Sequence, residues 1–336
     1  MRLIYLASAS VIIEHKNTKI LCDPWLLGAE FYGSWLPAEY EKLGDIDFSM
    51  FDDIDYIYIS HIHPDHMSRA TFEKLDKNIP VLIHGYDEKF VKMNLERWGR
   101  EVIELKHGEK FHCGDDLNIS IYAADDCDPK VCFNFFGCGK SKSIDGGSVG
   151  IDTMAVFENG KHTILNVNDC PYELSKLALN RVLEKIGNPD LLLVGYAGAG
   201  SYPQCWHYTD EEKLNKYGII KKNHFLNMGL DYIKETKPKY YMPFAGTYTL
   251  AGRLAKLERF RVVPRLEEAL EFYENNHDPS KGFLLDPYAY FDLDTGQQSS
   301  EYTPIDWEKH LKYCEEVLID RKYDFPVSPL KGAARI

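Results

Sequence analysis

Within the stretch His61-Ile62-His63-Pro64-Asp65-His66 the chain sets four side chains able to bind metal ions. They follow Tyr56-Ile57-Tyr58-Ile59-Ser60, an apolar run whose β-branched and aromatic residues read as a buried strand. In extended backbone the side chains at i and i+2 share a face, so His61 and His63 are expected to project together as the strand ends. Pro64 stops the ladder, and Asp65 and His66 on the following loop reach a second point nearby. The pattern reads as a site for two metal ions. Imidazole and carboxylate without thiolate suit zinc, iron or manganese. A solvated histidine-rich turn is the bland alternative, and three histidines with an aspartate straight after a buried strand argue against it.

Two further acidic clusters follow strand-like runs. Asp125-Asp126-Cys127-Asp128-Pro129 comes after Asn118-Ile119-Ser120-Ile121-Tyr122, and Asn168-Asp169-Cys170-Pro171 after Thr163-Ile164-Leu165-Asn166-Val167. Acidic residues in such places are usually turn formers or helix caps, and beside the histidine motif they become candidate ligands. Asp23-Pro24-Trp25 also ends a strand, and reads either as a turn or as an acceptor that orients a ligand histidine. The loop from Gly195 to Pro203 could offer backbone N–H groups to an anion, although it lacks the spacing of a dinucleotide loop and a plain tight loop is favoured. Ser201 and Tyr202 on that loop, His207 beside it and Arg253 are candidate substrate contacts. His84, His107, His112 and His224 read as structural, and the spacing of Cys113, Cys127, Cys132 and Cys138 matches no iron–sulfur pattern.

These residues must be carried by strands expected at 2–6, 11–15, 18–22, 56–60, 80–83, 101–105, 117–122, 151–157, 162–167, 190–194 and 238–242. Helical patterns fall near 68–77, 87–98, 173–186, 210–235 and 265–275. Early strands joined by short turns, then strands alternating with helices, point to an α/β αββα sandwich, two mixed sheets face to face with helices outside. Such a fold brings loops from both sheets to one edge. With no repeat or linker, residues 1–295 read as one domain, 130–150 as an insertion beside the site and 296–336 as a C-terminal extension packed on the domain.

A net charge of −13 disfavours a nucleic-acid partner. The first thirteen residues superficially resemble a signal peptide, but their pattern runs on into Lys19-Ile20-Leu21-Cys22, so strands are expected there instead. No apolar run reaches the roughly 20 residues that span a bilayer. Eight cysteines without regular pairing suit reduced thiols, and the expected compartment is the cytoplasm.

The set His61-x-His63-x-Asp65-His66 resembles the signature of the metallo-β-lactamase-fold superfamily. Asp23-Pro24-Trp25-Leu26, Tyr58 to His63, Ile164 to Cys170, Ala197 to Pro203 and Pro243-Phe244-Ala245-Gly246 resemble, in order, the metallo-β-lactamase portion of the CMP-N-acetylneuraminate hydroxylase family, over roughly residues 5–295. The chain departs from that family in lacking a Cys-x-His followed by Cys-x-x-His for a Rieske cluster. It also has Asp128-Pro129 where a third histidine is usual, and Phe244-Ala245 where the last one is expected. The resemblance implies one metal on His61, His63 and Asp128, a second on Asp65 and His66, and Asp169 bridging. More carboxylate makes the site harder, favouring iron or manganese over zinc. Chloramphenicol β-hydroxylase, a diiron oxygenase on this fold, has a similar balance.

The leading expectation is therefore a diiron oxygenase that hydroxylates a small anionic metabolite, such as a nucleotide-sugar or sugar acid, with electrons from an external reductase. The alternative is a hydrolase of an ester, amide or phosphoester, in which Asp169 positions a metal-bridging hydroxide and Asp125 moves the proton.

Overall fold

Side chains that alternate along each strand divide between two environments, and that division builds the layers. The computed structural model describes residues 1–124, 152–198, 200–207, 210–246, 248–261, 263–276 and 280–323. Its strands are β1 (Arg2–Ala7), β2 (Ser10–His15), β3 (Thr18–Cys22), β4 (Trp35–Pro37), β5 (Tyr56–Tyr58), β6 (Val81–His84), β7 (Val102–Leu105), β8 (Lys110–Gly114) and β9 (Leu117–Ala123). They continue with β10 (Thr153–Glu158), β11 (Thr163–Asn166), β12 (Leu191–Gly195), β13 (Tyr240–Phe244), β14 (Tyr248–Leu250), β15 (Lys281–Gly282), β16 (Tyr290–Asp292) and β17 (Gln297–Gln298). The α-helices are α1 (Tyr40–Leu43), α2 (Arg69–Phe72), α3 (Phe90–Arg97), α4 (Tyr172–Ile186), α5 (Glu211–Thr236), α6 (Leu266–Asn276) and α7 (Trp307–Glu316).

One sheet runs β17-β16-β1-β2-β3-β5-β6-β7 and the other β15-β13-β12-β11-β10-β9-β8. Both are mixed: β1 to β3 and β8 to β11 are antiparallel neighbours, whereas β3, β5, β6 and β7 run parallel, as do β11, β12, β13 and β15. Leu191 and Leu193 face inward with Leu3, Tyr58 and Phe157, while their neighbours Leu192 and Val194 face outward onto α4, α5 and α6 through Leu179, Leu230 and Tyr273. On the opposite flank Ile57, Val81 and Ile83 pack with Phe72 of α2 and Leu95 of α3. This is the expected αββα sandwich. Each such side chain taken wholly from water contributes about 1.5–3 kcal/mol.

Six short strands were not foreseeable from periodicity: β8, β15, β16 and β17, and the pair β4 and β14, which join residues far apart in sequence into a two-stranded sheet of their own. Helix α5 starts where the sequence places it, because the Asp210 carboxylate accepts the Lys213 N–H at 2.8 Å and caps the first turn. Beyond residue 296, β17 pairs with β16, and Cys314 and Leu318 pack with Leu36, Ala251 and Ala255. Among the described residues no helix is long and apolar enough to cross a membrane. Cys22, Cys113, Cys170, Cys205 and Cys314 are free thiols.

Candidate metal centre

Strand direction decides which residues meet. Asp23 follows β3, the histidine motif follows β5, Asp169 follows β11, the glycine-rich loop follows β12 and Ala245 follows β13. Strand β10 runs antiparallel to β11, with Ala155 opposite Asn166, so Asp152 at its start lies at the edge where β11 ends. In open α/β sheets ligands bind at the carboxyl ends of the strands, and these residues gather there.

Strand β5 stops at Tyr58 rather than at Ser60, and the histidines stand past it. Side chains replace the ladder at that point. The Ser60 N–H donates to Asp23 Oδ1 at 2.7 Å, and the Ser60 carbonyl accepts from the Tyr86 and Thr153 hydroxyls at 2.8 Å each. His61 and His63 still converge, with His61 Nε2 2.8 Å from His63 Nδ1. One ligand atom from each of His61, His63 and Asp169 lies within 4.8 Å of the others. His61 Nε2 is 3.4 Å from Asp152 Oδ1 and 3.9 Å from Asp169 Oδ2. His66 Nε2 is 3.3 Å from Asp169 Oδ2 and 3.9 Å from Asp65 Oδ2. Asp169 thus stands between the two halves of the motif.

Of the two readings of Asp23, the structure takes the acceptor. Its carboxylate, fully buried, accepts from the Ser60 hydroxyl at 2.7 Å, from Asn168 Nδ2 at 2.6 Å and faces His66 Nδ1 at 3.1 Å. Ser60 Oγ also sits 2.9 Å from His61 Nδ1. His61 and His66 are each held by Nδ1 and point Nε2 into the site, the usual support for a metal-binding imidazole.

Burial pushes the His61 imidazole down to about 3, and the neighbouring His66 adds to this against the pull of Asp169. His63 is lowered too, by burial first and His61 second. Both rings are therefore neutral, with lone pairs to give. For His66, burial works against the charged form, but Asp169, Asp23 and Asp65 outweigh it and raise the group well above its ordinary value. Burial would raise Asp169, yet His66, His61 and His63 together draw it down to about 2. Asp65 is raised, by burial and then by Asp169. Three carboxylates, Asp65, Asp152 and Asp169, crowd the site with the neutral imidazoles of His61 and His63, and that donor set fits divalent or trivalent cations, which would displace the His66 proton on binding. Glu30, which feels the charge of Asp65, is raised by burial to about 7 despite its bond to Ser68. That leaves it able to hold or release a proton near neutrality.

A cavity of about 530 Å³ opens over His63, Asp65, Asp152 and Asp169, walled by Phe31, Trp35, Phe225 and Met228. Behind Asp65, His66 and Asp169 a smaller void of about 20 Å³ is bounded by Ala245, Gly246 and Tyr248, so the position lacking the last histidine does face the centre. The substrate contacts expected from the sequence do not line this cavity. Ser201, Tyr202, His207 and Arg253 are all exposed and are absent from the described cavity lining, and Arg253 instead lies over the Tyr323 ring at 5.6 Å. Glycines of the loop, Gly195, Gly198 and Gly200, line the cavity in their place, as does His224. Asp125, Asp126 and Asp128, with the 130–150 insertion, lie outside the described residues.

Asp152 is the site residue that sequence reading missed. A strand expected from 151 hid it inside the element, whereas β10 begins at Thr153 and leaves Asp152 at a strand terminus like Asp169. Phe31, Trp35, Phe225 and Met228 carried no local signal.

A family model described as a beta-lactamase superfamily domain matches residues 2–215. The cytidine monophosphate-N-acetylneuraminic acid hydroxylase of Danio rerio is 27% identical over 259 residues, 74% of this chain and 38% of that protein. The chain spans less than half the length of the curated relatives it matches. Among solved structures, an isothiocyanate hydrolase from Delia radicum gut bacteria superposes with a TM-score of 0.58 at 14% identity, covering 87% of this chain and 99% of that one. CmlA, a diiron beta-hydroxylase from Streptomyces venezuelae, superposes with a TM-score of 0.50 at 16% identity, covering 85% and 53%.

Proposed function

The chain belongs to the beta-lactamase superfamily, and on that premise we propose that it is a dinuclear metal enzyme, in its leading reading an oxygenase that hydroxylates a small metabolite. His61, His63 and Asp152 would hold one metal, Asp65 and His66 the other, with Asp169 between them. The carrying observation is Asp152 Oδ1 at 3.4 Å from His61 Nε2, a carboxylate beside the histidine pair, in the role that the resemblance gave to Asp128. Two histidines with one carboxylate are the ligand set of non-haem iron oxygenases, and added carboxylate favours iron or manganese over zinc. Iron held there would supply the chemistry of dioxygen reduction, with electrons from an external reductase.

The chain's own residues give that centre its shape. Asp23 fixes His66, and through Ser60 also His61, so the ligands need little rearrangement. Phe31, Trp35 and Phe225 give the cavity above apolar walls. Support also comes from the hydroxylase relative and the diiron fold neighbour, whose own substrates are theirs alone.

A hydrolase is the second reading, favoured by the midway position of Asp169, 3.3 Å from His66 and 3.9 Å from His61, where it could orient a nucleophilic hydroxide. Oxygen dependence separates the two. With iron-loaded protein, a chemical reductant and a panel of candidate substrates, the oxygenase reading expects product and O₂ consumption in air and none under nitrogen. Turnover by zinc-loaded protein under nitrogen at the rate seen in air, abolished by Asp169→Ala, would replace it with the hydrolase.

A further inference from the structure

The cavity over the centre has two unlike ends. Its floor is polar and acidic, with His63, Asp65, Asp152 and Asp169, and its walls are apolar. Phe225, Met228 and Tyr232 fall at i, i+3 and i+7 on α5 and so share the helix face that lines it. Opposite them stand Phe31 and Trp35. Trp35 is held in place before anything binds: its ring stacks on Tyr248 with centroids 3.8 Å apart and an interplanar angle of 11°, and Phe31 tilts against it at 4.3 Å. Phe225 is held as well. A Cβ on Gly198 would fall 1.8 Å from the tip of the Phe225 ring, so only glycine lets that ring lie on the loop.

Among the described lining residues there is no lysine or arginine. Lys221, one turn before Phe225, packs 5.8 Å from its ring centroid and already donates to the Tyr202 carbonyl at 2.6 Å. A phosphate or sugar carboxylate placed between these walls, away from the floor where the metals would sit, would lose water without gaining a lysine or arginine partner. An aromatic ring would instead meet fixed ring faces and a polarizable thioether.

We infer that the substrate of this centre carries an uncharged aromatic or bulky apolar group next to its reacting atom, and that Phe225, Trp35 and Met228 bind that group. The inference rests on this cavity being the substrate site of the proposed enzyme, and it points away from a nucleotide-sugar. A volume of about 530 Å³ gives room for a ring system beyond the reacting carbon.

Ligand-observed NMR titration of the full chain loaded with zinc, which is diamagnetic, tests it, with indole as the neutral aromatic probe and cytidine monophosphate as the anionic one. Indole should bind more tightly than the nucleotide. Phe225→Ala should weaken indole at least fivefold, Phe225→Leu should keep most of the affinity, and Gly198→Ala, which removes no contact but drives the ring into the cavity, should weaken it as Phe225→Ala does. Circular dichroism checks folding, and Met228→Ala on the same face gives the same readout if Phe225→Ala does not fold. Tighter binding of the nucleotide, or indole affinity unchanged by these substitutions, overturns the inference. Because the titration reads binding and not turnover, failure of the oxygenase reading leaves its outcome separately legible.

Discussion

Asp23→Ala is expected to cost about 3–5 kcal/mol of folding stability, the range for removing one partner from a buried charged network. The carboxylate takes hydrogen bonds from the Ser60 N–H, the Ser60 hydroxyl and Asn168 Nδ2 and faces His66 Nδ1, and alanine would leave those groups buried without it. The backbone adds to the loss. Asp23 has a φ of 42°, a left-handed conformation that aspartate and asparagine tolerate better than alanine. Asp23→Asn keeps that conformation and most of the shape, so it should fold and show its main effect on the metal, an affinity lower by roughly 10–100-fold. Urea unfolding and metal titration read the two effects. An Asp23→Ala protein within about 1 kcal/mol of the parent, the value of one ordinary hydrogen bond, would mean that the network does not hold this edge together.

The double substitution His61→Ala with His63→Ala should reduce metal affinity by more than the roughly 10–100-fold that losing a supporting contact costs, since it deletes two ligands outright. Its effect on folding should be much smaller. His61 is buried but, pushed down to about 3 by its surroundings, it is a neutral ring without metal, and the hydrogen bond its Nδ1 shares with Ser60 is worth about 1 kcal/mol. The comparison is made between metal-free proteins, so that the stability a bound metal adds does not enter. Full metal occupancy in the double variant would remove the motif from the site.

The fold and the histidine motif were readable because both are written locally. Alternation in Ile57, Tyr58 and Ile59, or in Leu191 to Val194, names a strand and its two faces. The compact motif after β5 needs no distant partner to be noticed. What stayed hidden depends on distance. Trp35 becomes a cavity wall only because β4 pairs with β14, Leu36 opposite Thr249, and nothing near residue 36 announces that. Asp152 was concealed by a two-residue error in where β10 begins, and a one-residue shift in a strand exchanges its faces. The glycine-rich loop read as a plain tight loop, with an anion cradle as the alternative. Its glycines at 195, 198 and 200 line the cavity, and Gly198 in particular gives room to Phe225, a residue of another element.

The central claim is a carboxylate-rich centre for two metal ions at the histidine motif, and metal analysis of aerobically purified protein together with its optical spectrum tests it most directly. The account predicts about two metal ions per chain, iron predominating, with a charge-transfer absorption that disappears on reduction and is lost in the His61→Ala, His63→Ala protein, as the hard ligand set requires. Protein that takes up no iron from an iron-replete culture and holds zinc alone, or that binds metal equally well without His61 and His63, would contradict it.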